Sequence, residues 1–256
     1  MSVYEIKNKE TIAPLFEGWG EALIWSCLQG CMGEAYADDL QNPQSAQIIS
    51  KDFCFLAGVP NHELIGKRPG GRSPSFIIMV PQHRQWEERI ELVLQGHAAR
   101  RTRYATRKDS PMFDNAKLRQ IVSGLPAEYE LKLMGEAEYR QATVLPWAKD
   151  LCGSYSCYED YRANGLGVAV LKEGEIVAGA SSYAHYIGGI EIEIDTRADQ
   201  RRRGLAAACG AALVLECLKR GLYPSWDAQN KHSLALAEKL GYVFDKEYPV
   251  YEVLGW

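Results

Sequence analysis

Between residues 190 and 216 the hydrophobic pattern of the chain changes period. Ile190, Ile192 and Ile194 alternate with Glu191, Glu193 and Asp195, the period of two of a strand with one apolar face. The turn RRRGLA at 201–206 follows, and then an Ala/Leu-rich run with no breaker before Gly221, which predicts a long helix. A strand that delivers a turn onto a helix N-terminus is a ready-made anion site. Unpaired amides and the positive end of the helix dipole converge there, and Gly204 lets the backbone approach a ligand closely. Three arginines at a helix start oppose the dipole, so an anion that offsets them accounts for the pattern better than a solvated basic turn.

The same reading along the chain predicts alternating α and β elements. Residues 1–20 read as a short helix ending in Phe16 and Trp19, and 21–58 as strands (ALIWSCLQG, GEAYADD, AQIISKDFCFLAG) punctuated by Gly30, Gly33 and Asn42-Pro43. Asn61 is placed to cap NHELIGKRPGGRS (61–73), which runs out into a Pro/Gly loop. SFIIMVP (75–81) predicts a buried strand. QHRQWEERIELVLQG (82–96) predicts a helix through Trp86, Ile90, Val93 and Leu94, started near His83 and closed by Gly96. A basic strand, ARRTRYATRKD, a helix at 114–123 and a strand at 128–134 come next. Periodicity fades over 135–150, where a boundary is expected between an N-terminal α/β domain (1–140) and a second domain (141–256). The second domain reads as a helix at 155–163, a hairpin turning at Gly174, the strand GGIEIEIDT, a helix at 204–220, the strand LYPSWDAQN, a helix ending at Gly241 and terminal strands in KEYPVYEVLGW. That order predicts an α/β (α+β layered) fold of ordinary domain size. No internal repeat is evident in the residues.

Composition narrows the function classes. With 46% hydrophobic and 24% charged residues and a formal net charge of -4, the chain lacks the basic footprint of a nucleic-acid binder. If the basic N-terminal strands did bind nucleic acid, affinity would depend steeply on salt. No apolar run approaches the ~20 residues of a membrane span, and MSVYEIKNKE is no secretory signal. The seven cysteines (27, 31, 54, 152, 157, 209 and 217) lack CxxC spacing, so no metal is expected; Cys209 and Cys217 read as small core residues. The expected compartment is the reducing cytoplasm.

Arg201-x-x-Gly204-x-Ala206 matches the Q/R-x-x-G-x-G/A signature of the GNAT N-acetyltransferases, between a strand and a long helix as that family requires. Asn230, Ser233 and LAEKLGY (236–242) resemble the N-x-x-[AS]-x-x-L-x-x-K-L-G-[FY] stretch of the same family. More narrowly, IEIDT…RRRGLA…P-x-WDAQN-x-x-S-x-x-LAEKLGY is similar to the zwittermicin-resistance-type branch. The pattern IWSCLQG…GEAYADD…P-x-SA…F-x-F-x-AG at 24–58 also resembles that branch. The resemblance implies a GNAT fold for 141–256, a mixed central sheet flanked by helices. It implies acetyl-CoA as co-substrate, with its pyrophosphate on the amides of Arg202, Arg203, Gly204, Leu205 and Ala206 beside Arg201. It also implies a pantetheine arm pairing with main chain near Ile194–Thr196, and the Asn230 side chain touching the cofactor.

Acetyl transfer to an amine needs a base for the amine, donors for the tetrahedral oxyanion and a proton for the leaving thiolate. Glu191, Glu193 and Asp195 share one face of the central strand. Burial and mutual repulsion raise the pKa of such a group, so Glu193 is the first candidate base and Glu191 the second, unless both pair structurally. Main-chain N–H near Ile194 is the candidate oxyanion donor. Many family members carry a tyrosine at the CoA sulfur; this chain has Ala237 there, leaving Ser233, Tyr242 or water as acid. Trp226 and Asp227 either line the acceptor site or pack, and His185 reads as structural. Arg101, Arg103 and Arg107 read as a solvated or salt-bridged face, with contact to an anionic substrate or the CoA 3′-phosphate as the sharper alternative.

The expected activity is therefore acetyl-CoA-dependent N-acetylation of a primary amine on a small molecule, in the manner of antibiotic-resistance acetyltransferases. The competing expectation is a non-catalytic acyl-CoA-binding or regulatory module, motivated by Ala237. The oligomeric state stays open.

Overall fold

The computed structural model describes residues 2–68, 75–109 and 113–256. It divides into two compact units, one of residues 1–103 with 247–256 and one of 104–246. The expected division at 140 thus falls inside the second unit, and part of the expected Pro/Gly loop before residue 75 lies outside the described residues.

The first unit begins with strand β1 (Tyr4–Glu5), two short 3-10 turns and helix α1 (Ala22–Leu28). The antiparallel strands β2 (Glu34–Ala37), β3 (Ser45–Ser50) and β4 (Phe53–Gly58) follow. Next are helix α2 (His62–Gly66), capped by Asn61 as expected, strand β5 (Phe76–Pro81) parallel to β4, helix α3 (Arg84–Leu94) and strand β6 (Ala98–Thr106), whose residues from Tyr104 on belong to the second unit. The last long strand of the chain, β13 (Phe244–Leu254), pairs antiparallel with β5, giving the order β1-β2-β3-β4-β5-β13-β6. Leu56, Ile77, Met79, Trp86 and Tyr251 form the core of this unit.

Four expectations change here. Residues 1–20 are no single helix, because Tyr4 and Glu5 pair with Ala37 and Tyr36 of β2 and the Ile6 amide donates to Ala35 O. ALIWSCLQG is helix α1 rather than strand; Ala22, Leu23, Ile24, Ser26 and Cys27 are all buried, and such a run has no period to separate the two. Helix α3 closes on Gln95, which itself takes the left-handed conformation at φ 42°, one residue before Gly96. The C-terminus is one strand, β13.

The second unit holds helix α4 (Asn115–Ser123), strand β7 (Glu130–Leu133), helices α5 (Glu136–Val144) and α6 (Tyr158–Asn164), and the antiparallel strands β8 (Gly167–Lys172), β9 (Glu175–Tyr186) and β10 (Gly189–Thr196). Helix α7 (Leu205–Lys219), strand β11 (Tyr223–Ser225), the two-residue β12 (Asp227–Ala228) and helix α8 (Lys231–Leu240) complete it. The sheet order is β11-β10-β9-β8-β7, mixed because β10 and β11 run parallel. Successive residues of β8 serve both faces: Val168 and Val170 pack with Leu213 and Leu240, while Ala169 and Leu171 pack with Leu151 and Tyr161. A strand covered on both sides reads as a continuous apolar run. LYPSWDAQN is not one strand, since Asp227 and Ala228 pair with Ala105 and Tyr104 of β6 instead of continuing β11.

Both units contain a strand, a helical stretch, a three-stranded meander, a helix, a strand parallel to the last of the meander and a further helix; the second unit adds α4 in front, a second helix before its meander and β12 after β11. That shared order repeats where the residues do not.

Helix α7 crosses β10 at Gly210, where an added Cβ would stand 2.7 Å from Leu240 Cδ1 and 3.1 Å from Ile194 Cδ1. Gly210→Val is expected to cost about 1–3 kcal/mol through overpacking, read as a lowered urea midpoint.

Candidate functional site

The site of the second unit is a fork. Strands β10 and β11 pair through Gly189–Tyr223, Ile190–Pro224 and Glu191–Ser225, and their ladder then stops. Beyond Glu191 this edge of β10 has no strand partner among the described residues. Alternate residues of a strand donate to opposite edges. The Arg197 amide donates to Val177 of β9, so the amides of Ile194 and Thr196 belong to the open side. They meet the carboxylates of their own neighbours: Ile194 N–H donates to Glu193 Oε1 at 3.2 Å and Thr196 N–H to Asp195 Oδ1 at 2.7 Å. An extended ligand entering the fork would find two backbone donors held by displaceable side chains.

The open edge leads to the anion turn. Arg202 sits at φ 62°, and Gly204 caps α7 at φ 82°, a left-handed conformation that costs glycine little. No side chain caps α7, and its first intrahelical bond, Ala208 N–H to Gly204 O at 3.1 Å, leaves the amides of Leu205–Ala207 facing outward. The turn is braced from within: Arg201 Nε donates to Thr196 O at 3.2 Å, Arg203 Nη1 to Tyr129 Oη at 3.4 Å, and Tyr129 Oη to Gln200 Oε1 at 2.8 Å. Leu205 is buried and offers only its amide, whereas Arg201, Arg202, Arg203 and Gly204 are exposed. Beside the turn lies a cleft of about 320 Å³ lined by Arg203, Gly204, Ala207, Leu125, Pro126 and Lys239 among others.

The three carboxylates of β10 differ in environment. Glu191 is 7% exposed; its Oε1 accepts the Asp227 amide at 2.7 Å. Its Oε2 is buried and makes no hydrogen bond of ordinary geometry among the described residues. Burial pushes its carboxyl up, and the nearby Lys108 ammonium opposes that shift. Glu193 is half-buried. Asp195 is also half-buried, with its carboxyl raised by desolvation and opposed by its Thr196 amide bond and by Arg201, 3.9 Å away.

Asn230 caps α8: its Oδ1 accepts the amides of His232 and Ser233, each at 2.9 Å, leaving its Nδ2 as the group for a ligand. Ser233 Oγ accepts Trp226 Nε1–H at 3.2 Å, which leaves the hydroxyl proton free to donate. Trp226 is packed at 3% exposure against Tyr242 and does not line an open site by itself. Tyr242 is unsuited to be the acid. Its hydroxyl is buried and donates to Pro224 O at 2.7 Å, and burial pushes the phenol well above its usual range. Tyr242→Phe should cost about 1–3 kcal/mol of stability, because the buried Pro224 carbonyl loses its donor, and leave any pH–rate profile unmoved. Ala237 is fully buried in the core. His185 stacks on Tyr155, and burial lowers its pKa. Arg101 pairs with Glu252, Arg103 lies over the Phe53 ring and Arg107 pairs with Asp109, the salt-bridged reading of that face. Lys108, next in line, escaped the sequence reading although its ammonium reaches Ser225 Oγ at 2.7 Å and Trp226 O at 3.1 Å.

The equivalent turn of the first unit is stoppered. Gly58 N–H donates to Gln82 Oε1, Gly58 O accepts from Trp86 Nε1 at 2.9 Å, and the helix that follows, α2, is five residues long. Strands β4 and β5 stay paired as far as Leu56–Pro81, with no fork. Among the described residues no group of three or more His, Cys, Asp or Glu is arranged to hold a metal ion, and no helix is long and apolar enough to cross a membrane.

The geometry agrees with what the chain is similar to. Residues 13–251 match the GNAT acetyltransferase family. An uncharacterized N-acetyltransferase, YdfB of Bacillus subtilis (strain 168), is 31% identical over 245 residues, spanning 89% of this chain and 88% of its own. The crystal structure of a GCN5-related N-acetyltransferase-like protein from Streptococcus suis 89/1591 superposes with a TM-score of 0.90 at 46% identity, covering 96% of this chain and 98% of that one. A tandem GNAT protein from the clavulanic acid biosynthesis pathway, 11% identical, shares the fold at a TM-score of 0.57 over 100% of this chain and 99% of its own. The chain is a member of the GNAT acetyltransferase family.

Proposed function

We propose that the protein transfers the acetyl group of acetyl-CoA to a primary amine of a small amino-bearing molecule, a metabolite or antibiotic being favoured over a protein lysine by the sequence resemblance. The observation that carries this reading is the open edge of β10, whose Ile194 and Thr196 amides lead to the uncapped N-terminus of α7. A pantetheine arm fits the edge as an added strand. A pyrophosphate fits the amides of 202–206, with Arg201, Arg202 and Arg203 adding charge and Asn230 Nδ2 reaching in from α8. Glu191 is the preferred base over Glu193, because a dry carboxyl with a raised pKa, whose Oε2 makes no hydrogen bond of ordinary geometry among the described residues, is better matched to an ammonium proton. The amine nitrogen attacks the thioester carbon, its proton passes to Glu191 directly or through water, and the C–S bond breaks. The departing thiolate takes its proton from solvent, assisted by the Ser233 hydroxyl. The first unit, with a similar element order and a stoppered turn, is read as a degenerate second copy that binds no donor. The thiols suit a reducing cytoplasm.

The test is thiol release on mixing the protein with acetyl-CoA and a library of primary amines. Release matched by an N-acetylated amine supports the reading. Tight binding of acetyl-CoA with no release across a broad library supports the second reading, an acyl-CoA-binding module, which the buried Ala237 at the family's tyrosine position favours.

A further inference from the structure

Glu191 stands opposite Ser225 on the last rung before the fork opens. The next residue, Trp226, breaks the strand, and its carbonyl turns toward the segment that leaves β6. There Thr106 Oγ1 donates to Trp226 O at 2.6 Å and Lys108 Nζ to the same oxygen at 3.1 Å, while Lys108 Nζ also reaches Ser225 Oγ at 2.7 Å. Both partners of this ammonium are neutral, so its charge is not cancelled by them. The nearest strand partner of Ser225 is the buried Glu191 carboxylate.

Among the described residues, the other groups around Glu191 do not supply a cation. Asp227, whose amide binds Oε1, adds a like charge. Tyr186 of β9, Tyr223 of β11 and Tyr242 after α8 face it as phenols whose pKa values burial raises, so they stay neutral. The Ser225 hydroxyl and the Asp227 amide favour the ionised form, as Lys108 does.

We propose that Lys108 is a positioning residue for acetyl transfer: its ammonium, held on Ser225 and Trp226, keeps Glu191 ionised at the mouth of the fork and able to accept the amine's proton. This rests on the reading of Glu191 as the base. Lys108 acts through Glu191 and touches no reacting atom.

The test compares wild type with Lys108→Met, Lys108→Gln (which retains a hydrogen-bond donor) and Lys108→Arg, in two readouts. One is the pH profile of kcat/KM for acetyl transfer. The other is the titration midpoint of Glu191 by carbon NMR of 13C-glutamate-labelled protein, assigned with Glu191→Gln, which needs no turnover. Removing a cation raises a carboxyl pKa. The acid limb and the NMR midpoint should therefore both move to higher pH by about one unit or more in the Met and Gln variants, and stay in place in the Arg variant. An NMR midpoint unchanged in folded Met or Gln variants overturns the proposal, as does a midpoint that moves while the acid limb of an active enzyme does not. A midpoint that moves in a protein acetylating no amine supports the Lys108–Glu191 coupling and removes the acetyl-transfer reading instead, so the two failures are told apart.

Discussion

Glu191→Gln is expected to lower kcat for acetyl transfer by about a hundred- to ten-thousand-fold while leaving acetyl-CoA affinity within a few-fold of wild type. Glutamine keeps the shape and can still accept the Asp227 amide, so what is lost is the base. The substitution also has a stability signature of defined sign. Burial raises the Glu191 carboxyl above its unfolded value. Its stabilising contribution is therefore complete below the unfolded pKa and disappears as pH rises through the folded pKa. Above that value ionisation of a buried group works against folding. Glutamine never ionises, so the variant's urea midpoint should fall less than that of wild type between acid and mildly alkaline pH. A variant that unfolds readily at every pH would make Glu191 a brace of the fork. Full activity would pass the role to Glu193, which Glu193→Gln then tests.

The second large effect is at the anion turn. An added Cβ at Gly204 meets no protein atom within 4 Å, so Gly204→Ala pays only for its φ of 82°, about 1–2 kcal/mol. In the proposed complex that Cβ would stand where phosphate oxygens approach the amides of Leu205 and Ala206. The expected result is a loss of at least about tenfold in kcat/KM with acetyl-CoA, about 1.4 kcal/mol. No comparable loss is expected with acetyl-pantetheine, which lacks the pyrophosphate. Equal losses with both donors would remove the turn from donor binding.

The sequence revealed the second unit more fully than the first, for physical reasons. Ile190, Ile192 and Ile194 mark one face of a sheet, and the Gly204 turn and the Asn230 cap mark helix starts by local chemistry that tertiary structure does not override. Residues 22–28 are apolar on all sides of a short helix, so their period is silent. Tyr4 and Glu5 form a strand only because Tyr36 and Ala37 wait more than thirty residues away. The similar element order of the two units is invisible in the residues because what they share is topology and not side chains. The first unit ties its Gly58 backbone to Gln82 and Trp86. In the site, residue type pointed to the carboxylates, but only packing distinguishes Glu191 from Glu193. Lys108 was hidden because its partners, Ser225 and Trp226, lie more than a hundred residues on.

In the proposed complex the donor lies along the open edge of β10 and ends on the first turn of α7. Amide hydrogen exchange with and without acetyl-CoA tests it most directly. Exchange at Ile194, Thr196 and residues 202–206 should slow when acetyl-CoA binds; binding that leaves these amides unprotected, or protects the Gly58 turn instead, would place the donor elsewhere.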